Sequence, residues 1–304
     1  MTLPDSAVSK GIRRPDRAAA WVKRQVTRYV EREIVTPVCG RYLYDHDWDL
    51  AVVLDACRYD LGARGASEHS IGLGEPERVY SVGSQSPHWI QRTFEAATDA
   101  EIERTAYITA NAHTDRAPKH RLALLDDVWR YAWDEEYQTV LPRPVTDRAI
   151  EAMRNDVADR YIVHYMQPHL PSVVERSEHV GGWVPYEGKP GKGDAGGEWE
   201  AAQNGYAEEV TEAYENNLGP VLDDLDLLLE NVDAPSVVVT ADHGNYLGEG
   251  GRWGHPPWHM RSPVRHVPWW ETTASDEQTH SPGEYDRSAD DGTRNERLEA
   301  LGYK

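Results

Sequence analysis

Five short stretches of the 304-residue chain carry the side chains that could do chemistry. SVVVTADHGN sets Asp242 and His243 side by side, with Gly244 after them. A carboxylate and an imidazole on one tight turn are a good pair of metal ligands. The plain alternative is a turn capped by Asp242 with His243 on the surface. LAVVLD ends in a second carboxylate, Asp55. SVGSQSPH offers Ser84 and Ser86 just before Pro87. Pro suits the first turn of a helix, where a hydroxyl would sit in a field that favours negative charge. The alternative is that one serine merely caps that helix. MQPHLP supplies His169, and GHPPWH supplies His255 and His259. Two Asp, a His and a hydroxyl form an oxygen-rich donor set. It suits Zn²⁺ or Mn²⁺ first, with Mg²⁺ or Ca²⁺ next, and does not suit a soft metal. Cys57 reads as structural, because a phosphatase-type Cys loop needs Arg six residues on and position 63 is Ala.

These residues need elements that bring them together. Leu50–Leu54 is an uncharged apolar run closed by Asp55, TAYITAN is one closed by Asn111, Tyr161–Met166 leads to His169, and the Val237–Val239 run leads to Asp242. Continuous apolar runs closed by turns read as strands buried on both faces of a parallel sheet, and such sheets bind ligands at their carboxyl edge. Four polar endings at the same kind of edge are stronger than any one motif. His164, inside its strand, reads as a satisfied core residue. Helical spacing appears at Arg14–Glu33, at 121–133, at Asp147–Asp156, and over Tyr206–Val232 with a break near Gly219-Pro220. RSPVRHVPWW is a final strand, and RNERLEALGY a closing helix. Alternation of this kind predicts an α/β three-layer sandwich with a mainly parallel central sheet. The expected organisation is a tail and basic amphipathic helix (1–40), a catalytic domain (41–270) and a polar tail with a short helix (271–304). Residues 172–205, rich in Gly, Pro and charge, are expected to form a lid or flexible insertion.

Composition bounds the partners. There are 52 Asp plus Glu against 32 Lys plus Arg, a formal charge of −20, and only six of the basic residues are Lys. Such acidity with scarce Lys resembles proteins of salt-loving archaea, where a Debye length of roughly 3 Å screens self-repulsion. It argues against nucleic acid, which wants a basic face. Two cysteines make no disulfide framework. With no apolar leader and no 18-residue apolar run, the expectation is a soluble cytoplasmic chain. Residues 14–33 are basic on their polar side. They read as a helix packed on the domain or, alternatively, as a peripheral contact with the inner face of an anionic membrane.

Taken together, the strand ending in Asp55, the Ser-Pro helix start, PHLP, and TADHGNYLGE with a downstream Gly-His and VRHVPW resemble the alkaline phosphatase superfamily. That group includes sulfatases, phosphodiesterases, lipoteichoic acid synthases and phosphoethanolamine transferases, and the likeness is strongest to sulfatase-like proteins of halophilic archaea. It spans about Trp48 to Trp270 plus the closing LGY helix. The resemblance implies that Asp55, Ser86, Asp242 and His243 bind one metal. Ser86 (or Ser84, if the helix starts earlier) would attack a phosphomonoester or phosphodiester as nucleophile and form a covalent phospho-enzyme. His169 and His255 match positions that hold the substrate, the leaving group or a second metal. Position 169 is His where the two-zinc members carry the Asp of a D-x-x-x-H pair, which favours a single metal. The C/S-x-P-S-R pattern that sulfatases mature is absent around Ser84-Gln85-Ser86-Pro87-His88, which weighs against the alternative of a sulfatase. His255 and His259 are four apart, but Pro256-Pro257 forbids the helix of an HExxH-type site. The implied partner is a small-molecule, glycan or lipid ester of phosphate or sulfate. A reading of another class is an inactive member that binds in surface-glycan assembly.

Overall fold

The computed structural model describes residues 15–174, 196–288 and 294–301. The central sheet has eight strands: β1 (Gly40–Arg41), β2 (Leu50–Leu54), β3 (Glu77–Ser81), β4 (Thr105–Thr109), β5 (Leu124–Asp127), β6 (Arg160–Tyr165), β7 (Ala234–Thr240) and β8 (His266–Ala274). Their spatial order is β1-β3-β8-β7-β2-β6-β4-β5. Only β8 runs against its neighbours β3 and β7. The three runs with the purest apolar sequence lie side by side at the centre, with Val52 level with Val163 on one side and Val239 on the other. Val52, Val53 and Leu54 are fully buried, a gain of about 1.5–3 kcal/mol for each such side chain.

The main helices are α1 (Pro15–Val30), α2 (Tyr59–Glu68), α3 (Ser86–Ala96), α4 (Pro142–Arg154), α5 (Ala207–Asn216), α6 (Leu218–Leu229) and α7 (Arg294–Ala300). Side chains on a strand alternate between faces, and two consecutive residues of β6 show what covers each. The Tyr165 hydroxyl lies 2.8 Å from Thr146 on α4. The His164 ring lies 5.6 Å from that of Trp89 on α3. Helices therefore cover both faces, and the molecule is a three-layer α/β sandwich. α6 packs against both α2 and α4 on the Tyr165 side.

Two expectations need correction. Residues 121–133 are not a helix: Leu124–Asp127 pairs in parallel with β4, and Val128–Arg130 is one 3₁₀ turn. The open edge of β4 offers backbone partners that outweigh local helical spacing. The long acidic helical stretch breaks near Gly219-Pro220 as expected, at Asn217, whose side-chain amide donates to the carbonyls of His169 and Pro171 and so ties the helix junction to the site. The last strand also runs on to Ala274, into the stretch expected to be tail. Most of the expected lid, 175–195, lies outside the described residues; Gly196–Gln203 is a helix.

Candidate metal and nucleophile site

The carboxyl ends of β2, β4, β6 and β7 gather their polar endings in one place. Asp55 Oδ2 accepts a hydrogen bond from Asn111 Nδ2 at 2.7 Å and one from the Ser86 hydroxyl at 3.2 Å. Asp242 Oδ1 accepts from the amides of Ala56 at 2.9 Å and His243 at 2.8 Å. His243 Nδ1 lies 3.0 Å from the Gly244 carbonyl, to which it donates, leaving Nε2 to face the cluster. That Nε2 is 3.6 Å from Asp55 Oδ1, 3.5 Å from Asp242 Oδ2 and 3.4 Å from the Ser86 hydroxyl. One donor atom each from Asp55, Asp242 and His243 falls within 4.8 Å of the others.

Local sequence makes this geometry. Gly244 is where the chain must pass close: a Cβ there would meet the Pro263 carbonyl at 2.4 Å. Only Gly lets the turn after His243 nest against Pro263 and donate its amide to the Val264 carbonyl. On the β3 side, a Cβ at Gly83 would meet Trp89 Cβ at 2.6 Å, so that Gly lets the chain turn tightly into α3. Neither serine caps α3: Gln85 holds the cap position, Ser86 is the first helical residue and Pro87 follows it. Ser84 is also buried, but its hydroxyl faces His88 Nδ1 at 3.4 Å. Ala56, just past Asp55, has a left-handed φ of 61°, a strained conformation for a residue with a Cβ. Its amide serves Asp242 and its carbonyl accepts from the Tyr214 hydroxyl.

The electrostatics of the cluster favour a cation. Asp55, Ser86, Asp242 and His243 are all fully buried. Burial, and then the charge of Asp242, push the Asp55 carboxyl well above its usual range. Burial likewise raises Asp242. Asp55 Oδ1 and Asp242 Oδ2 have no hydrogen-bond partner, and buried carboxylate oxygens rarely stay unpaired. Burial lowers His243 to about 4, which keeps it neutral at pH 7, the form that ligates metal. The donor set therefore fits a divalent cation.

The remaining histidines divide. His169 Nε2 lies 3.1 Å from His255 Nε2, and the His255 ring lies 4.5 Å from that of His243, so the two join the cluster from the outside. Burial holds both low, His169 at about 4. His259 instead meets the Tyr246 hydroxyl at 3.0 Å and takes no part. His164, expected to be a core residue, does more. Its Nδ1 meets the Tyr107 hydroxyl at 2.9 Å, while its Nε2 lies 3.7 Å from Asp55 and 3.8 Å from Asp242. Its place one register step from the end of a central strand was the available signal. Cys57 is buried, and burial pushes its thiol far up, which suits a structural role.

No family model and no curated protein matches the sequence. Solved structures do match. The soluble domain of lipooligosaccharide phosphoethanolamine transferase A from Neisseria meningitidis superposes with a TM-score of 0.50 at 15% identity, over 83% of this chain and 86% of that one. The integral membrane protein lipooligosaccharide phosphoethanolamine transferase A from the same organism gives 0.50 at 15% identity, over 87% of this chain and 56% of that one. This chain thus spans a little over half of that protein's length. A 2-O GAG sulfatase gives 0.46 at 11% identity, over 77% of this chain and 64% of that one. The fold is alkaline-phosphatase-like. In this alkaline-phosphatase-like sheet the cluster sits at the carboxyl edge of the parallel strands, where α/β sheets place ligands. Among the described residues no helix is long and apolar enough to cross a membrane.

Proposed function

We propose that this chain is a metal-dependent hydrolase or transferase that cleaves a phosphate ester, with Ser86 as nucleophile. One observation carries the reading: the Ser86 hydroxyl, on the first residue of a helix, lies 3.2 Å from Asp55 and 3.4 Å from His243, beside two carboxylate oxygens that lack partners. Asp55, Asp242 and His243 would hold the cation, with Zn²⁺ or Mn²⁺ suiting the mixed N/O set. A bound divalent cation supplies charge that lowers the hydroxyl pKa and offsets negative charge on the phosphoryl group.

The chain's own residues do the rest. Ser86 Oγ forms a bond to phosphorus as it gives up its proton, the ester P–O bond breaks, and the departing alkoxide takes up a proton in exchange and leaves as the alcohol. Water or an acceptor alcohol then forms a new bond to phosphorus, the serine–phosphorus bond breaks, and the attacking group's proton returns to Ser86 Oγ. Ser86 stands at the N-terminus of α3, the end of the helix dipole that favours developing negative charge. Neutral His169 donates its Nδ1 proton to the Leu170 carbonyl, so its Nε2 accepts from His255, and His255 Nε2 is the N–H of the pair that could turn to an ester oxygen. Asn111 holds Asp55 from behind.

The test is metal analysis of the purified protein, with phosphate-ester and sulfate-ester panels. Stoichiometric metal, phosphate turnover, and loss of turnover in Ser86→Ala support the reading. Full activity in Ser86→Ala with none in Ser84→Ala would move the nucleophile to Ser84. Metal-free protein without turnover would instead point to a binding role.

A further inference from the structure

Six of the eight large apolar side chains exposed among the described residues lie between positions 21 and 38. On α1 they are Trp21 (44% exposed), Val22 (52%), Val26 (56%) and Tyr29 (63%), and Ile34 and Val38 continue the run past the helix. Residues 22, 26 and 29 are spaced four and three apart and so share one stripe. Contacts at its C-terminal end tie the helix to the body. The Arg28 guanidinium lies 4.6 Å over the Trp258 ring. One step on, Glu31 is fully buried between Arg92 and Arg265. The helix is thus held to the body near its C-terminal end, while its apolar stripe stays exposed along its length.

Charge points to the occupant. The chain carries −20, yet residues 13–32 hold seven basic side chains against two acidic ones. Lys23 and Arg24 stand exposed on the same helix. Trp and Tyr next to basic residues suit the boundary between head groups and acyl chains. We infer that α1 and the turns after it lay this protein on an anionic lipid surface. A second copy pairing through the same helix is a poorer occupant, because it would set basic residues against basic ones.

The docked helix lies at the rim of the site. Trp258, under Arg28, is 3.8 Å from the His88 ring, and His88 Nδ1 is 3.4 Å from the Ser84 hydroxyl. Docking therefore brings the cluster's rim to the head-group layer, so the favoured substrate is a lipid-borne phosphate ester. That last step rests on the proposed function; the docking does not.

Flotation of the full chain with vesicles of phosphatidylcholine alone, or mixed with phosphatidylglycerol, tests this. The protein should float with the mixed vesicles and much less with the neutral ones. Trp21→Ser/Val22→Ser/Val26→Ser should weaken binding by at least about tenfold. Lys23→Gln and Arg24→Gln should each cost about fivefold on the mixed vesicles. These positions are exposed, so the thermal melts should match wild type. Ser86→Ala should float like wild type, which separates docking from turnover. Failure to float, or equal flotation of the triple variant, overturns the inference. So does a dimer in light scattering that the triple variant dissociates while lipid binding stays absent. A protein that floats yet turns over no phosphate ester keeps the docking and loses the substrate assignment.

Discussion

Ser86, Asp242 and Gly244 divide the site's work in ways that substitutions can separate. Ser86→Ala removes only a hydroxyl, so the variant should keep its metal and lose turnover by at least about 1000-fold. Asp242→Asn removes one of two anionic donors. It should weaken metal binding by more than about 100-fold, beyond the usual cost of an outer hydrogen-bond partner. Equilibrium dialysis and a rate assay on the two variants separate the roles, and equal metal content in both would contradict the assignment. Gly244→Ala puts a methyl group where the Pro263 carbonyl stands 2.4 Å away. We expect a loss of about 1–3 kcal/mol in a denaturant titration and an impaired site, since His243 is the preceding residue.

At the scale of elements, the buried knot of Glu31, Arg92, Arg265 and Thr36 decides how the N-terminal segment meets the sheet. Glu31 joins Arg92 of α3 through two contacts of 2.7 Å and also meets Arg265, and the Thr36 hydroxyl donates to it at 3.1 Å. Burial pushes the Glu31 carboxyl up, but the hydrogen bonds and charges of Arg92 and Arg265 outweigh this, and the net shift is downward. A carboxyl lowered on folding stabilises the protein above its unfolded pKa, near 4.5, and loses that contribution as pH falls through the folded value. Wild type should therefore lose stability below about pH 4.5, and Glu31→Gln should flatten that part of the profile. The variant also leaves two arginines without their carboxylate, at a cost of about 3–5 kcal/mol at neutral pH. Thermal melts across pH read both effects; an unchanged acid limb in Glu31→Gln would assign the acid sensitivity elsewhere.

For the whole molecule the governing quantity is the charge of −20. Many of its ion pairs are exposed, such as Arg104–Asp159 with both side chains 60% accessible, and pairs of that kind contribute about 0–1 kcal/mol. They do not offset the repulsion among 52 carboxylates. Salt shortens the Debye length from about 8 Å at physiological strength to about 3 Å at 1 M. We expect the melting temperature to rise steeply between dilute buffer and molar KCl. Equal melting temperatures at both would show that self-repulsion is not what limits stability.

The site and the sheet were legible to different depths. Leu50–Leu54, Tyr161–Met166 and Val237–Thr240 could be read as neighbouring buried strands, because an uncharged run of that length has few other places to go. Their polar endings followed from the same pattern. Tertiary structure alone decided the rest. Leu124–Asp127 became a strand because β4 had an open edge, which no local window records. His164 turned from a core residue into a neighbour of Asp55 and Asp242 because the register sets it beside Val53. Glu31 found Arg92 and Arg265 across separations of 61 and 234 residues. The exposure of the apolar stripe of α1 depended on where the helix found partners, which is near its C-terminal end. Periodicity reports that a helix has two faces; only the packed body determines which of them is left for another surface.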